Sequence, residues 1–328
     1  MYAVTYAVAC APTGVGGDVP SEQRWRVALT VREQPAQGDT VRHSLTNKFL
    51  PAVAVGALVL AACGSDDDAS SSDETSSGES DCGATVEDGV LTVATGEPAF
   101  FPWVIDDDPS SGEGFEAAVA YAVAAEMGYE GDAVKWVRTT FDEAIQPGAK
   151  DFDINLQQYS ITPERQENID MSLPYFTSNQ AIVALSGSAA EGATSIADLK
   201  DVKFGAQAGT TSLQFITDVI EPSSEPFVYD DNVGAKAALE ANQIDAAVFD
   251  LPTALYVSAV EIEGSSVIGQ FPAEAGGTTD EFGMVLAKDS ALTGCVNDAI
   301  TAITASGALA DINAEWLADN TGAPVISE

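Results

Sequence analysis

Basic residues and histidine are scarce in this chain of 328 residues, which has 13 Lys and Arg against 51 Asp and Glu and a single histidine. A formal net charge of −38 repels phosphate, so charge-driven binding to nucleic acid or to an anionic lipid surface is disfavoured. None of the four cysteines lies in a Cys-x-x-Cys pair, which excludes the usual zinc sites. We therefore expect no metal, no cofactor and no nucleic acid as a partner.

The chain also lacks an apolar run of comfortable membrane-spanning length near its start. The apolar run 49–62 is short, and it follows the basic residues Arg42 and Lys48, an order that is typical of a signal-peptide core. Its end, Leu-Ala-Ala-Cys63, resembles a bacterial lipoprotein signal, in which the cysteine is lipidated and becomes the first mature residue. We predict a signal peptide over 41–62 and lipidation of Cys63, with ordinary secretory cleavage or a buried helix as the alternatives.

The segments on either side of this signal show no domain pattern. Residues 1–40 do not fit a signal n-region, so we predict an untranslated or non-structural extension and a start of translation at Val41. Residues 64–81 are acidic and serine-rich, with no apolar side chain larger than alanine, so they cannot bury enough surface to fold. We predict that 63–82 is a lipidated cysteine followed by a flexible acidic linker.

From residue 90 onward, short β-type runs, among them an extended segment at 180–185 and a strand at 204–207, alternate with helical patterns. This alternation predicts parallel sheets and two α/β units, and the helices predicted at 290–306 and 310–317 could return to the first unit. In an exported protein, Cys82 and Cys295 would form an even pair. A disulfide between them is our prediction, and two separate buried thiols are the alternative.

Residues 158–165, Gln-Tyr-Ser-Ile-Thr-Pro-Glu-Arg, form a candidate anion site. Thr162 can cap a helix and Pro163 fits its first position. Arg165 lies two residues after Pro163, and a guanidinium can bind a carboxylate through two parallel hydrogen bonds. A surface ion pair is the alternative role for Arg165. A second predicted helix start, at 209–212, offers free backbone N–H groups of the kind that bind anions.

Several motifs, in this order, resemble the bacterial extracellular solute-binding proteins of family 3, which serve polar amino-acid ABC importers. The resemblance covers about 88–318, and the motifs are FFPW (100–103), GFE (114–116), SITPER (160–165) with SLPY (172–175), GTT (209–211), IDAAVFD (244–250) and FGMVLAK (282–288).

The resemblance implies an α/β fold of the two-lobed periplasmic-binding-protein type (type II), with two hinge strands and a ligand cleft between the lobes. Lobe 1 would comprise 83–179 and 280–328, and lobe 2 would comprise 180–279. The hinges would lie near 177–181 and 279–284.

The same resemblance implies a site for a zwitterion. Arg165 would bind the α-carboxylate of the ligand, together with the backbone N–H of Thr211, and Asp250 would bind the α-ammonium. Ser160 and the carbonyl of Gln158 would add hydrogen bonds. For Asp250 and Thr211, capping of a helix is the alternative or additional role.

The ligand side chain would lie between Phe100 and Phe141, although either ring could belong to the core and Phe101 or Trp103 could replace Phe100. Glu97 stands where relatives often have an aspartate that contacts the ligand side chain, which favours a cationic or amide ligand. A solvated turn residue is the alternative for Glu97. Bulky residues at 157–159 replace the small hydroxyl residues of many relatives, and we expect them to narrow the pocket.

We therefore expect an exported monomer, lipid-anchored through Cys63 to the outer face of the cytoplasmic membrane, and not an enzyme. It would bind a free, polar L-amino acid, with a cationic or amide side chain favoured, and deliver it to the transmembrane subunits of an ABC permease. The alternatives are an enzyme of the same fold, dehydratase or lytic transglycosylase-like, and a receptor sensor domain. The absence of histidine after His43 argues against an imidazole-dependent enzyme, and a receptor would need a membrane-spanning helix and a signalling domain.

Overall fold

The computed structural model describes residues 82–272, 280–317 and 323–326. The predicted extension 1–40, the signal peptide 41–62, the lipidation site Cys63 and the linker up to residue 81 lie outside the described residues. Within the described part of the chain, no helix is both long enough and apolar enough to span a membrane.

Strands and helices alternate along the described residues, as the sequence pattern predicts. The strands are β1 (Leu91–Thr95), β2 (Val134–Arg138), β3 (Ile154–Asn155), β4 (Asp170–Met171), β5 (Phe176–Ser178), β6 (Gln180–Leu185), β7 (Phe204–Gln207), β8 (Phe227–Tyr229), β9 (Ala246–Asp250), β10 (Ser265–Phe271), β11 (Asp280–Phe282) and β12 (Val285–Leu286). The α-helices are α1 (Phe115–Glu126), α2 (Phe141–Ile145), α3 (Pro163–Asn168), α4 (Thr211–Phe215), α5 (Asn232–Glu240), α6 (Leu251–Tyr256), α7 (Thr293–Ser306) and α8 (Ala308–Trp316). Helices α4 and α6 continue as π-helical turns over Ile216–Ile220 and Val257–Glu261.

The first sheet has the strand order β2-β1-β3-β12-β4. Strand β1 is parallel to β2 and β3, whereas β12 is antiparallel to β3 and β4. Helices α1 and α7 bury an apolar face against this sheet, because Val119, Val123 and Ile300 share a core with Leu91 and Val93. We call the part of the chain built on this sheet lobe 1.

The second sheet has the strand order β10-β6-β9-β7-β8. Strand β7 is parallel to β8 and β9, and β6 is antiparallel to β9 and β10. We call the part of the chain built on this sheet lobe 2. Residues 323–326 also belong to it, since Val325 pairs with Gln270 and Ile326 is fully buried beside Phe271. The lobe boundaries predicted from the sequence assign this tail to lobe 1, together with the rest of 280–328.

Two short strands link the lobes. Strand β5 pairs with β11 in antiparallel register, with Ser178 opposite Asp280 and Phe176 opposite Phe282. Strand β5 leads directly into β6 of lobe 2, and β11 leads back to β12 of lobe 1. The predicted two-lobed architecture with two hinge strands is confirmed, while the other domain boundaries stay predictions.

A disulfide joins Cys82 to Cys295 on α7, with 5.6 Å between the Cα atoms. The pairing is the one that the sequence allowed. It fixes the first described residue of the chain to a late helix of lobe 1, across a sequence separation of 213 residues.

Candidate functional site

A cavity of about 220 Å³ lies between the two lobes and is lined by residues of both. This volume is below the roughly 300–1,000 Å³ of pockets for drug-sized ligands, so it suits a small molecule. The structure brings all of the predicted ligand-binding residues to its wall, namely Arg165, Asp250, Thr211, Ser160, Gln158, Phe100, Phe141 and Glu97.

Arg165 lies in the first turn of α3, which begins as the sequence predicts. Thr162 is the N-cap, and its side chain accepts a hydrogen bond from the backbone N–H of Arg165 at 3.2 Å. Arg165 is 8% exposed, and its guanidinium donates to the carbonyl oxygens of Ser160 at 2.7 Å and of Gly209 at 2.9 Å. Among the described residues no carboxylate lies within ion-pair distance of Arg165, which does not fit the alternative of a surface ion pair.

The buried guanidinium of Arg165 has N–H donors that its two hydrogen bonds do not use. Burial lowers the pKa of Arg165, and the field of Asp280 acts in the opposite direction. A guanidinium has five N–H donors, and the two bonds to backbone carbonyls leave donors available at the cavity. A buried cation without a counter-ion is costly, and an anionic ligand would remove much of that cost.

Two aromatic rings pack beside the guanidinium. The Cζ atom of Arg165 lies 5.4 Å from the ring centroid of Phe141 and 6.0 Å from that of Tyr159, and the two rings are stacked at 4.5 Å. Phe141 lines the cavity, but Tyr159 is fully buried beneath it and donates its hydroxyl to the Phe141 carbonyl at 3.2 Å. The expectation that Tyr159 narrows the pocket is therefore wrong, because its ring packs in the core and not on the cavity wall.

The start of α4 faces Arg165 from lobe 2. Thr210, not Thr211, is the N-cap, since its hydroxyl accepts from the backbone N–H of Leu213 at 3.1 Å. Thr211 is the first helical residue, so its own N–H has no partner within the helix. The hydroxyl oxygens of Thr211 and Ser160 lie 3.1 Å apart. This contact and the bond from Arg165 to Gly209 both cross from one lobe to the other.

Asp250 ends β9 and caps α6. Its Oδ1 accepts from the backbone N–H of Thr253 at 3.0 Å, and its Oδ2 accepts from the Thr253 hydroxyl at 2.8 Å. Burial raises the pKa of Asp250 to about 6, while the hydrogen bonds from Thr253 partly offset that rise. Asp250 is thus both a helix cap and a cavity-wall carboxylate, as the sequence allowed.

Glu116, a buried acid that sequence reasoning did not single out as a site residue, holds Gln158. Its carboxylate accepts from the backbone N–H of Gln158 at 2.8 Å, from the Gln158 amide at 2.5 Å and from the Tyr175 hydroxyl at 2.5 Å. Gln158 has a left-handed φ of 53°, which is uncommon outside glycine. Glu116 is 1% exposed, and burial raises its pKa to about 7. The available signal was an acid in the first turn of α1, followed by nine residues that are all alanine, valine or tyrosine.

Gln180 is a second cavity residue that the sequence reasoning missed. Its Nε2 donates to Asp280 Oδ2 at 2.6 Å, and its Oε1 accepts from the Ser212 hydroxyl at 2.7 Å. These bonds link the hinge strand β11 to the start of α4 through the first residue of β6. The signal in the sequence was a polar residue at the head of the apolar run Gln-Ala-Ile-Val-Ala-Leu.

The opposite wall comes from the loop after β1. Phe100 is half-buried at the cavity, and the Lys236 ammonium of lobe 2 lies 4.6 Å from its ring centroid. Glu97 is exposed and also lines the cavity. Phe101 instead stacks on Tyr256 at 4.2 Å and is not a lining residue, so Phe100 rather than Phe101 presents its ring to the cavity. Trp103 is a fully buried part of the wall.

Comparisons with known proteins agree with this architecture. The model of the bacterial extracellular solute-binding proteins, family 3, matches residues 91–319. The chain is 28% identical over 236 residues to the L-cystine-binding protein TcyJ of Escherichia coli K12, covering 70% of this chain and 83% of that protein. Relatives of this kind bind amino acids for ABC transporters.

Two solved structures extend the likeness to the fold. A structure described as an ancestral arginine-binding protein bound to glutamine has a TM-score of 0.60 and 28% identity, and the match covers 71% of this chain and all of that one. The ancestral amino acid-binding protein AncCDT-1, described as a precursor of cyclohexadienyl dehydratase, has a TM-score of 0.57 and 29% identity, with 70% and 95% covered.

Proposed function

We propose a function in amino-acid import for this chain, which belongs to the bacterial extracellular solute-binding proteins, family 3. It binds a free L-amino acid in the cavity between its lobes and delivers it to the permease of an ABC importer. The observation that carries the proposal is the pairing of charges at the cavity: a buried Arg165 with no ionic partner among the described residues, and Asp250 across from it on lobe 2.

The α-carboxylate of the ligand is bound by Arg165 and by the free N–H of Thr211. Both groups favour an anion, one by charge and bidentate geometry and the other by its place at a helix start. The α-ammonium is bound by Asp250, with the Ser160 hydroxyl and the Gln158 carbonyl as neutral acceptors. This arrangement selects a molecule that carries both charges close together.

The ligand side chain is cationic in this proposal. The described cavity wall carries four acids, Glu97, Asp230, Asp231 and Asp250, and one base, Arg165. Once Asp250 and Arg165 have bound the α-groups, three acids remain. A guanidinium or ammonium is therefore favoured over the neutral amide of glutamine, and Phe100 and Phe141 pack on the apolar stem. The likeness to an ancestral arginine-binding protein bound to arginine, at 29% identity, supports a cationic ligand.

The setting of this activity is the outer face of the cytoplasmic membrane. In the proposal, a lipid on Cys63 and the linker that follows keep a monomeric binding protein close to its permease. Tethering raises the local concentration at the permease without any new contact.

Calorimetry and a thermal-shift screen with the twenty amino acids, ornithine and cystine test the proposal. We expect L-arginine, lysine or ornithine to raise the unfolding midpoint, because a ligand at 100 times its Kd adds about 2.7 kcal/mol to the free energy of unfolding. The absence of a shift with every amino acid would contradict the proposal. A shift with glutamine but not arginine would correct only the side-chain class.

A dehydratase is the second candidate, because AncCDT-1 is described as a precursor of such an enzyme. Asp250 is a cavity-lining acid whose pKa is raised, to about 6, so it is the group that could donate a proton. Turnover of a prephenate-like substrate would favour this candidate. Amino-acid binding without turnover favours the transport function.

A further inference from the structure

A hydrogen bond from a buried tryptophan joins the aromatic core of lobe 1 to the helix that Asp250 caps. Trp103 is 0% exposed, and its ring packs edge-on against Phe115 and Phe282, with 5.8 Å between centroids in each pair. Its indole Nε1–H donates to the hydroxyl oxygen of Thr253 at 2.9 Å. Because Thr253 lies on α6 of lobe 2, this bond exists only where the lobes meet.

The bond from Trp103 determines the direction of the Thr253 hydroxyl hydrogen. An indole N–H is a donor only, so Thr253 must act as the acceptor toward Trp103. The single hydrogen of the Thr253 hydroxyl is then available to Asp250, whose Oδ2 accepts it at 2.8 Å. The Thr253 backbone N–H binds the other oxygen, Oδ1, at 3.0 Å. Both oxygens of the carboxylate are thus oriented by one residue, and that residue is oriented from the opposite lobe.

We propose that Trp103 is a positioning residue that acts through Thr253 to orient the Asp250 carboxylate toward the ligand ammonium when the lobes meet. The inference rests on the proposed function, because it assigns the ammonium to Asp250. It makes ammonium capture dependent on lobe contact, since an open cleft would leave the Thr253 hydroxyl free to rotate. A ligand that binds Asp250 well therefore favours the state in which Trp103 reaches Thr253.

The stack of Phe101 on Tyr256, at 4.2 Å, supports this coupling from a second position. Phe101 lies two residues before Trp103, and Tyr256 lies three residues after Thr253, on the same two elements. The contact holds the loop of lobe 1 against α6 without touching Asp250. It keeps the indole within reach of Thr253.

The test uses substitutions that remove single hydrogen-bonding groups. Trp103→Phe retains a buried ring but loses the N–H, and Thr253→Val retains the side-chain shape but loses the hydroxyl. Thr253→Ser restores the hydroxyl. Trp136→Phe is the matched control, because the Trp136 indole donates to the Tyr121 hydroxyl at 3.2 Å and Trp136 does not line the cavity between the lobes.

Calorimetry with L-arginine measures the affinity of each variant, and the expected changes are as follows. Thr253→Val weakens binding about tenfold, the scale of one hydrogen bond to a charged group. Trp103→Phe weakens it about fivefold by the same reasoning. The double variant is no weaker than Thr253→Val alone, because both changes interrupt one relay. Thr253→Ser and Trp136→Phe retain the affinity of the unsubstituted protein.

A second ligand distinguishes orientation of Asp250 from a general effect on the cleft. The deaminated analogue of arginine keeps the guanidino and carboxylate groups but has no α-ammonium. We expect Trp103→Phe and the unsubstituted protein to bind this analogue equally. If arginine fails to bind but glutamine binds, the same comparison uses glutamine and its deaminated analogue.

Three outcomes would overturn the relay. They are unchanged arginine affinity in both Trp103→Phe and Thr253→Val, losses that add in the double variant, and equal losses for arginine and its deaminated analogue. Thr253→Val keeps the test valid if Trp103→Phe fails to fold. An unsubstituted protein that binds no free amino acid would overturn both the proposed function and the relay, whereas binding with unaffected variants would overturn the relay alone.

Discussion

Arg165 shows at the scale of one residue how a site can be prepared for an anion. The chain retains a buried guanidinium whose hydrogen bonds go to the backbone carbonyls of Ser160 and Gly209. Carbonyl dipoles hold the group in place without neutralising its charge. A carboxylate that enters the cavity therefore meets an oriented, incompletely compensated cation, which is a condition for tight binding in a small site.

Substitution of Arg165 tests this role. We predict that Arg165→Ala abolishes measurable amino-acid binding and that Arg165→Lys weakens it at least about tenfold, because an ammonium cannot reproduce the planar fork of a guanidinium. Calorimetry gives the affinities. Lys200→Ala is a suitable control, because Lys200 forms an exposed ion pair with Glu221 on lobe 2. Near-normal affinity in Arg165→Ala would remove Arg165 from the site.

The raised pKa of Asp250 predicts a pH dependence of binding. Burial moves this pKa from its ordinary 3.8 to about 6, so the ligand-free carboxylate is charged above pH 6 and becomes protonated below it. A protonated acid cannot pair with an ammonium. We predict that the affinity is constant near pH 8 and falls by about tenfold per pH unit below about 6, at 1.36 kcal/mol per unit.

The same shift has the opposite sign for the stability of the ligand-free protein. A carboxyl whose folded pKa is raised takes up its proton at a higher pH in the folded than in the unfolded chain, so its contribution to the free energy of unfolding grows as the pH falls through 6.

Asp250→Asn tests the pH dependence of binding, because the variant has no carboxylate to titrate at this position. It should weaken binding at pH 8 and remove the decline in affinity below pH 6. Calorimetry across that range makes the comparison, and an unchanged decline in the variant would assign the pH effect to another group.

Side-chain patterns predicted the residues of the cavity better than the bonds between them. Arg165 was identified because it adjoins a predicted helix start, and that rule depends only on local structure, whereas Asp250 was identified from the resemblance to the solute-binding proteins of family 3. Glu116 and Gln180 act through partners 42 and 100 residues away in the chain. No local pattern reports such partners. Tyr159 was misjudged because a residue in an irregular segment has no periodicity to reveal which way it faces.

At the scale of elements, regular segments followed their sequence patterns closely and interrupted ones did not. The strand predicted at Gln180–Leu185 and the strand at Phe204–Gln207 are observed with the same bounds. Strand β10 was missed, because a register shift between Val267 and Gly269 interrupts it and its sequence Ser-Ser-Val-Ile-Gly-Gln-Phe lacks clear alternation. Its neighbour β6 supplies the pairing that the local sequence does not predict.

The C-terminal tail is an element that depends on β10. A Cβ atom at Gly269 would lie 2.3 Å from Ile326 Cγ1, so a glycine is required for the tail to pack there. Ile326 is fully buried in the core of lobe 2. We predict that Ile326→Ala lowers the free energy of unfolding by about 2–5 kcal/mol, the usual range for a large aliphatic side chain truncated to alanine in a core. Denaturant titration measures it, and Val325→Ala, whose side chain is exposed, is the matched control.

The disulfide is the longest-range constraint among the described elements. In the chain-entropy model, closing a loop of this length stabilises the folded state by roughly 5.4 kcal/mol. We predict that the double variant Cys82→Ser, Cys295→Ser unfolds at lower urea concentration but binds its ligand normally, because neither cysteine lines the cavity. The unsubstituted protein in reductant should match the variant. A loss of affinity on reduction would show that α7 influences the cleft.

At the scale of the whole molecule, the two hinge strands allow the site to be divided between lobes. Arg165 belongs to lobe 1, and Thr211 and Asp250 belong to lobe 2, so a ligand that contacts all three must bring the lobes together. The contacts of Ser160 with Thr211 and of Trp103 with Thr253 show the lobes meeting around the cavity. The overall two-lobed plan could be predicted from the order of motifs, whereas the location of the tail could not, because it depends on a pairing with β10 that has no sequence signature.

The attachment of Cys82 to α7 also determines how a mechanical load would enter the molecule. A tension transmitted along the chain from the N-terminal side meets a covalent bond to lobe 1 before it reaches β1 at Leu91. The pull would be borne by the disulfide and the body of α7, and the hydrogen bonds of β1 to β2 and β3 would carry none of it until that bond is reduced. A pull from the N-terminal side would therefore leave intact the sheet of lobe 1 that contributes to the cavity wall.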